Sequence, residues 1–352
     1  RMIFGIMTGY QNEQFIERKE LDFSYYAEGI GRFRVNAMFE KEHMGAVFRT
    51  VSTDPYSFEF LGVPPIFKKL CERRHGLILV VGPTGSGKST TLAAMVNYIN
   101  HTQARHIITI EDPIEFIYEN KKALIRQREL GPHTNGFATA LRSSFRQDPD
   151  VILVGEMRDL DTMSTTLTAA ETGHLVMSTL HTNGAVETVT RVVDAFPAGQ
   201  QQQIRTQLAG SLEAVLAQRL LPKAQGRGMV MACEVFICTP AARNIIREGR
   251  MHHLRNVLDT GTEHGMQTID QHLRDLYLKG SISYEVALAN ASDVDHFRDL
   301  VGIAEANEMM GGNVNPVVQA QQAQATGAPG APTATRITGT AKARDTRPGG
   351  GL

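Results

Sequence analysis

The chain has 352 residues, of which 42% are hydrophobic, and a formal net charge of −1 at pH 7. This length and composition allow about two domains with cores of their own, and a near-neutral charge excludes nucleic acid as the default partner. The three cysteines, Cys71, Cys233 and Cys238, form no CxxC pair, so they indicate neither a disulfide framework nor a zinc site and favour a reducing compartment.

The first predicted elements are paired strands within residues 21–52. RFRVNAMFE (32–40) alternates in character and places Arg32 and Arg34 on one face and apolar side chains on the other. GAVFRTV (45–51) follows as a further strand. The pattern predicts a small sheet with one apolar and one polar face.

We interpret residues 1–60 as a small α/β domain. Residues 61–75, punctuated by Gly62 and the Pro64-Pro65 pair, are the predicted linker. The chain begins at Arg1 without an initiator methionine or a signal-peptide pattern. We therefore expect upstream sequence to be missing and this first domain to be truncated.

Residues 76–239 alternate between short strands and helices, which predicts a mostly parallel sheet covered by helices on both faces. Six runs predict its strands: GLILVV, RHIITI, ALIRQ, VILVG, HLVMSTL and MVMACEVFIC. KSTTLAAMVNYIN (88–100) is one of the helices between them. The pattern is typical of a nucleotide-binding α/β core, and its apolar runs are far shorter than the ~20 residues of a membrane-spanning helix.

Residues 240–310 form the predicted C-terminal helical subdomain, because helical periodicity continues with breaks at Gly261, Gly280 and near Ser292. Residues 311–352 are rich in Ala, Gln, Gly, Pro and Thr. They contain too few large apolar side chains to offset the entropy lost on ordering, so we predict a disordered tail.

GPTGSGKS (82–89) matches the phosphate-binding pattern G-x-x-x-x-G-K-[ST], with an apolar strand before it and an amphipathic helix after it. Its glycines allow backbone N–H groups to converge on phosphate oxygens at a helix N-terminus. Lys88 adds a positive charge at the β and γ positions, and Ser89 offers a hydroxyl to Mg²⁺. The motif predicts binding of ATP or GTP. The predicted nucleotide-binding residues here are Gly82, Pro83, Thr84, Gly85, Ser86, Gly87, Lys88, Ser89 and Thr90.

Acidic residues follow two of the predicted strands, at the sheet edge where ligands bind in open α/β sheets. Glu156 ends one strand and can polarise an attacking water or support Mg²⁺. The segment IITIEDPIE ends in Glu111, Asp112 and Glu115, of which Glu111 and Asp112 adjoin the strand end. For these three acids a solvated turn is the alternative interpretation.

His174 and His181 begin and end the run HLVMSTLH. A zinc site is disfavoured, because no nearby cysteine or carboxylate cluster completes a tetrahedral set. Residues seven apart on a strand lie on opposite faces, so the two histidines should have different roles. His181 lies at the same sheet edge as the P-loop and can donate a hydrogen bond to the γ-phosphate. For His174, a structural role and a contact with a neighbouring subunit are both open.

These segments together resemble the motifs of the secretion ATPases that power type II secretion and type IV pili. GPTGSGKST, IEDPIEF, DPDVILVGEMRD and TGHLVMSTLHTN resemble, in that order, the Walker A, Asp box, Walker B and His box. RFRVNAMFE, GAVFRTV, GMQTIDQ and the stretch FPAGQQQQIRTQLAGSLEAVLAQRLLP are similar, more narrowly, to PilT-type pilus retraction ATPases. The resemblance covers about residues 2–300. It implies a hexameric ring in which a PAS-like N-terminal domain joins a RecA-like P-loop ATPase domain, with ATP held between them.

The resemblance implies a role for each matching residue. Lys88 and Ser89 would bind phosphate and Mg²⁺. Glu156 would be the principal catalytic carboxylate, and Glu111 a second acid near the nucleotide. His181 would sense the γ-phosphate.

The remaining implied nucleotide contacts are less direct. His174 would be a second γ-phosphate sensor. Arg34 and Arg49 match arginines that approach the phosphates when the domains close, with Arg32 a weaker candidate. Arginine suits this role because its planar guanidinium can grip phosphate through two hydrogen bonds. Without the match, solvated charges on a strand face would be the favoured interpretation.

A short helical segment is the basis for expecting a motor that retracts the pilus and does not extend it. AARNIIREG (241–249) resembles the AIRNLIRE signature of retraction motors and departs from it at Ala242 and Ile245. An amphipathic helix with no dedicated task is the alternative. Elongation ATPases that resemble this core usually carry a paired CxxC insertion, which is not found in this sequence.

The sequence therefore predicts a hexameric ATPase that uses ATP and Mg²⁺ to drive pilus retraction. Its expected place is the cytoplasmic face of the inner membrane, and its expected partner is a membrane platform protein, with a paralogous retraction ATPase as a further candidate. A retraction-accessory paralogue and a nucleotide-binding scaffold subunit are the alternatives. A nucleic-acid translocase is disfavoured by the neutral charge.

Overall fold

The computed structural model describes residues 2–41, 43–51 and 55–311. The first part of the chain contains α1 (Met2–Gly5), α2 (Gly9–Arg18), β1 (Glu20–Ala27), β2 (Gly31–Glu40) and β3 (His43–Val51). The three strands pair antiparallel in chain order. Residues 312–352 of the predicted tail lie outside the described part of the chain.

One face of this small sheet is covered by α2. Thr8 begins the helix with a capping box, in which its hydroxyl accepts from the N–H of Gln11 and the Gln11 side chain accepts from the N–H of Thr8. Phe15 of α2 packs with Phe23 and Val35 in the apolar cluster on that face. Apolar and polar residues therefore alternate along β2 because one face of the strand packs against α2 and the other does not.

The other face of the sheet carries three arginines. Arg34 of β2 lies directly opposite Arg49 of β3 in the strand register. Arg32 precedes Arg34 by two residues, so its side chain lies on the same face, about 7 Å along the strand. The three guanidinium groups therefore face in one direction.

Two short helices, α3 (Phe58–Leu61) and α4 (Ile66–Cys71), follow the small sheet. The hydroxyl of Ser57 caps α3 by accepting from the N–H of Phe60. The buried side chains of Phe58 and Phe67 pack into an apolar cluster that also covers one face of the large sheet. The segment that connects the two sheets is thus anchored against the large sheet.

The central part of the chain alternates strands and helices. Its elements are β4 (Gly76–Val81), α5 (Lys88–Thr102), β5 (His106–Glu111), β6 (Leu124–Glu129), α6 (Phe137–Ser144), β7 (Val151–Val154), α7 (Leu160–Glu171), β8 (Leu175–Leu180), α8 (Ala185–Asp194), α9 (Ala198–Ser211), β9 (Leu212–Pro222) and β10 (Met229–Ile237). All six predicted strands are present.

The seven strands form one sheet in the order β10-β9-β4-β8-β7-β5-β6. Neighbours from β9 to β6 are parallel, and β10 is antiparallel to β9. Every residue of β4, β7 and β8 is buried, which explains their continuous apolar sequences. Helices α6 to α9 pack on one face, and α4 and α5 pack on the other. This is the predicted α/β core, with both faces covered.

The sequence patterns do not predict β9, although it lies beside the P-loop strand β4. Helix α9 ends at Ser211 and β9 begins at Leu212, so no turn residue separates the two elements. Glycine, proline and short polar clusters are the signals that mark an element boundary in a sequence. Gly210 and Ser211 precede the strand, but both belong to α9, so they do not show where β9 begins.

Five helices complete the described chain: α10 (Pro240–Glu248), α11 (Leu254–Thr260), α12 (Ile269–Leu278), α13 (Tyr284–Asn290) and α14 (Val294–Gly311). Short 3₁₀ turns lie at Met251–His253 and Thr262–His264. The predicted breaks at Gly261, Gly280 and Ser292 fall between helices, and Gly249 adds another with φ of 75°. Among the helices in the described ranges, none combines the length and apolar character needed to cross a membrane.

Candidate nucleotide-binding and catalytic site

The loop between β4 and α5 has a backbone shape that depends on its three glycines. Gly82, Gly85 and Gly87 have φ of 147°, 80° and 86°, values that residues with a side chain rarely adopt. A β-carbon on Gly82 would also lie 2.3 Å from the carbonyl oxygen of Gln218 in β9. The loop therefore packs closely on β9 and tolerates only glycine at this contact.

Lys88 is the first residue of α5, and its side chain folds back over the loop. Its Nζ donates hydrogen bonds to the carbonyl oxygens of Gly82 at 2.9 Å and Pro83 at 3.0 Å. Burial lowers the pKa of Lys88, and the charges of Glu156 and Glu115 oppose that shift. The ammonium group is thus held where a phosphate on the loop would meet it.

Gln218 holds the loop from behind. Its Nε2 donates to the carbonyl oxygen of Ser86 at 2.7 Å, and the residue is only 2% exposed. The carbonyl of one residue and the N–H of the next point in opposite directions across a trans peptide bond. The N–H of Gly87 is therefore turned away from Gln218. The sequence patterns did not indicate Gln218, because α9 passes directly into β9 and this strand was not predicted.

A cavity of about 600 Å³ opens in front of the loop, a size within the range of small-molecule sites. Its lining includes the loop glycines Gly85 and Gly87 and the polar side chains of Thr84, Lys88, Ser89, Thr90, Arg34, Arg49, Glu111, Asp112, Glu115, Tyr118, Glu156, Arg158, Thr179 and His181. Gly82, Pro83 and Ser86 complete the loop behind this lining. The cavity thus brings together the P-loop, the carboxyl ends of β5, β7 and β8, and the polar face of the N-terminal sheet.

Glu156 and His181 meet in this cavity from the ends of two adjacent strands, β7 and β8. One carboxylate oxygen of Glu156 accepts from Arg158 Nη2 at 2.6 Å, and the other lies 3.6 Å from His181 Nε2. A carboxylate and an imidazole this close together present an acceptor and a polar ring nitrogen to the same part of the cavity, where both can contact one water molecule in front of them. Arg158 was not selected from the sequence, although it lies only two residues beyond Glu156.

Glu111 ends β5 and lines the cavity, but its carboxylate already has partners. It accepts from Thr109 Oγ1 at 2.6 Å, from Gln127 Nε2 at 3.3 Å and from the backbone N–H of Glu115 at 3.4 Å. Burial raises the pKa of Glu111 to about 7, against the opposing effect of these hydrogen bonds. This carboxyl group therefore exchanges its proton close to neutral pH.

The acidic segment after β5 does not form a turn facing only solvent, because Glu111, Asp112 and Glu115 all line the cavity. Burial raises the pKa of Asp112, while the charge of Arg158 lowers it. Glu115 is exposed and acts on the charge of Lys88. The sequence pattern favoured the two acids nearest the strand end and indicated no specific role for Glu115.

The arginines of the N-terminal sheet divide into two groups. Arg34 and Arg49 line the cavity. Arg32, by contrast, is bound to Glu129 of β6, with 2.7 Å between Nη2 and Oε2, and is not part of the lining. The weaker candidate for a phosphate contact is therefore committed to a protein carboxylate.

His174 lies at the opposite edge of the sheet from His181, because the whole of β8 separates them. Its Nδ1 is 3.0 Å from the carbonyl oxygen of Ala169, and its ring stacks on Phe145 with centroids 5.7 Å apart. The structure does not bring His174 to the cavity. We therefore do not assign it to the nucleotide site of its own chain, and its packing matches the structural alternative.

The three cysteines are free and buried. Burial raises the pKa of Cys233 and of Cys238 to about 12 and also raises that of Cys71. Thiols that remain protonated at neutral pH are poor nucleophiles and poor metal ligands. Within the described residues, no group of three or more His, Cys, Asp or Glu side chains is arranged to hold a metal ion.

Comparison with known proteins gives consistent matches. Residues 30–279 match the family model described as type II/IV secretion system protein. The chain is 52% identical over 292 residues to the twitching motility protein of Neisseria gonorrhoeae, covering 83% of this chain and 78% of the relative. It is 50% identical over 296 residues to the type IV pilus retraction ATPase PilT of Pseudomonas aeruginosa, covering 84% and 86%.

A solved structure agrees with these sequence matches. The crystal structure of the pilus retraction motor PilT with bound ADP superposes with a TM-score of 0.79 and 45% identity, covering 84% of each chain. The matched family range exceeds half of the chain, and the relatives are covered over most of their length. The chain belongs to the type II/IV secretion system protein family and, within it, to the pilus retraction ATPases.

Proposed function

We propose that this chain is the ATP-driven motor that retracts type IV pili in twitching motility. The proposal is carried by the cavity, in which a phosphate-binding loop faces the Glu156–His181 pair and two arginines of a second sheet. Relatives named for twitching motility and pilus retraction, about half identical to this chain, support the direction of work.

The residues around the cavity have distinct roles in hydrolysis. The N–H groups of the P-loop and Lys88 bind phosphate oxygens. Glu156 accepts a hydrogen bond from a water molecule in line with the γ-phosphorus, so that a new P–O bond forms as the bond to the ADP oxygen breaks. His181, beside Glu156, donates to the γ-phosphate and responds to its presence. Glu111 is a second acid, whose proton is exchanged near neutrality.

Mg²⁺ fits the donors at this edge of the sheet. Ser89 lines the cavity together with the carboxylates of Asp112 and Glu156, and oxygen atoms are the ligands that Mg²⁺ prefers. Ser89 would hold the ion that accompanies the nucleotide. Bound Mg²⁺ would offset the negative charge of the phosphate oxygens.

Arg34 and Arg49 connect hydrolysis to movement. They extend from the domain proposed at residues 1–60 toward a cavity built mainly by the ATPase domain proposed at 76–239. A contact between these arginines and phosphate oxygens would draw the two domains together about the linker at 61–75. We propose that six subunits form a ring at the cytoplasmic face of the inner membrane, and that successive closures turn a platform protein.

The retraction-like segment AARNIIREG forms α10 in the domain proposed at 240–310. Arg243 donates to the carboxylate of Glu213 at 2.6 Å, which ties α10 to the start of β9. Arg247 and Glu248 remain exposed on the outer side of the helix. That polar surface is available to a partner such as the platform protein or a paralogous retraction ATPase.

The experiment that tests the proposal is phosphate release per protomer, measured over a range of protein concentrations with Glu156→Gln as the control. A rate that climbs steeply with concentration and is lost in the control supports an active ring motor. If the chain binds ATP but releases phosphate no faster than the control at every concentration, it is instead a nucleotide-binding scaffold or an accessory paralogue.

A further inference from the structure

Glu129, the last residue of β6, is a carboxylate buried at the boundary between the N-terminal sheet and the ATPase core. Its side chain is 3% exposed. Arg32 Nη2 lies 2.7 Å from Oε2, and Ser24 Oγ lies 2.9 Å from both carboxylate oxygens. Both partners belong to the polar face of the N-terminal sheet, so one buried charge joins two parts of the molecule that are far apart in the chain.

The same carboxylate also holds the acidic segment after β5. Its Oε2 accepts from the backbone N–H of Ile114 at 3.2 Å. Ile114 lies between Pro113 and Glu115, and both of those neighbours line the cavity. A single oxygen atom therefore contacts Arg32 of the N-terminal sheet on one side and the backbone of the nucleotide-facing segment on the other.

Burial makes this contact selective for one arrangement of the two domains. A carboxylate removed from water needs a charged or hydrogen-bonding partner to offset its lost hydration. If the N-terminal sheet moved away, Glu129 would lose both Arg32 and Ser24 and keep only the N–H of Ile114. The sheet is therefore held where Arg32 reaches Glu129.

The position of Arg32 fixes the position of the two arginines at the cavity. Arg34 lies two residues further along the same face of β2, and Arg49 is its partner across the strands. A strand is stiff over two residues, so anchoring Arg32 places Arg34 and Arg49 at a set distance from the P-loop.

We propose that Glu129 is a positioning residue that couples the N-terminal sheet to the nucleotide-facing segment and thereby sets Arg34 and Arg49 for the phosphates. This inference rests on the role proposed above for those two arginines. Glu129 itself does not touch the nucleotide. It acts through Arg32 on one side and Ile114 on the other.

The test measures kcat and KM for ATP in the full chain. Glu129→Gln keeps the side-chain shape but removes the charge that holds Arg32, and we expect kcat to fall on the order of tenfold with a smaller change in KM. Arg32→Met removes the same contact from the other side and should give a similar loss. Asp161→Asn, which breaks an exposed ion pair with Arg142, is the matched control and should leave kcat unchanged.

The deciding measurement places Glu129→Gln in an Arg34→Ala/Arg49→Ala background. If Glu129 acts through these arginines, the added substitution causes no further loss of kcat. An equal fractional loss in both backgrounds would show a merely structural role and overturn the inference. If Arg34→Ala/Arg49→Ala alone keeps wild-type kcat, the proposed arginine role fails instead. Should Glu129→Gln not fold, Arg32→Met carries the same comparison.

Discussion

At the scale of single residues, the P-loop depends on a side chain from outside its own motif. Gln218 pulls the carbonyl of Ser86 away from the cavity, and this sets the direction of the next N–H. Motif patterns describe the loop residues alone, so they contain no information about such a support. The orientation of the phosphate-binding N–H groups is therefore a tertiary property.

Replacing Gln218 tests this support. We expect Gln218→Leu, which keeps the approximate volume but cannot donate, to weaken ADP binding by about tenfold, because the Ser86–Gly87 peptide is then free to rotate. Equilibrium binding of a fluorescent ADP analogue measures the effect. Gln200→Leu on the exposed start of α9 serves as the control. Unchanged affinity in Gln218→Leu would remove the residue from this role.

Glu111 predicts a dependence of stability on pH. Its pKa is raised from 4.5 to about 7 by burial, so between these values the folded state keeps a proton that the unfolded chain has released. The free energy of unfolding therefore falls as pH rises through this window, by up to about 3 kcal/mol from this group. Below pH 4.5 the carboxyl group of Glu111 is protonated in both the folded and the unfolded state, so it does not lower the free energy of unfolding.

Comparison of Glu111→Gln with the wild type isolates this effect. The variant should gain stability relative to the wild type as pH is raised from 5 to 8, because glutamine does not ionise. Denaturant unfolding at both pH values measures the difference, with Glu17→Gln on exposed α2 as the control. A constant difference between variant and wild type across this range would contradict the raised pKa.

At the scale of elements, the backbone conformation of a glycine decides whether a side chain at that position would stabilise or destabilise the fold. Gly249 ends α10 with φ of 75°, so Gly249→Ala should lower the free energy of unfolding by about 1 kcal/mol. Gly210 lies in the last turn of α9 without a positive φ, and a β-carbon there would meet no atom within 4 Å. Gly210→Ala should therefore raise the free energy of unfolding by about 0.5–1 kcal/mol. Thermal unfolding of the two variants should shift in opposite directions, and shifts of equal sign would refute this account.

The core elements that could be predicted are those whose own residues form a recognisable sequence pattern. GLILVV and VILVG form β4 and β7 because continuous apolar runs suit strands covered on both faces. The loop at 82–89 and the pairing of Glu156 with His181 follow from parallel strands that end at one edge. β9 lacked such a signal, since α9 passes into it without a turn residue. Because Gln218 lies on β9, its role was not predicted either.

At the scale of the whole molecule, the sequence located only some of the residues that lie between the small N-terminal sheet and the large sheet. The alternation of β2 and the family resemblance indicated Arg34 and Arg49, and both line the cavity. The resemblance gave Arg32 only as a weaker candidate, and the alternation of the strand could not separate it from the other two, because all three share one face of the sheet. The partner of Arg32 is Glu129, 97 residues away in the chain, and only the folded arrangement reveals that contact.

Arg49→Ala tests whether the boundary takes part in turnover. We expect kcat to fall by about tenfold or more, because a guanidinium that stabilises transferring phosphate oxygens is lost. Affinity for ADP should change less, since the P-loop supplies most of that binding. Steady-state phosphate release and ADP titration separate the two effects, with Arg142→Ala on exposed α6 as the control. Equal losses in kcat and ADP affinity would argue against a role in catalysis.

The direct passage from α9 into β9 also has an evolutionary consequence. A residue inserted between Ser211 and Leu212 would shift the register of β9 against β4 and move Gln218 to the other face of the sheet. The segment 223–228 between β9 and β10, in contrast, is an exposed connection that can absorb extra residues. Natural insertions and deletions among homologues should therefore accumulate at 223–228 and be excluded from the junction at 211–212.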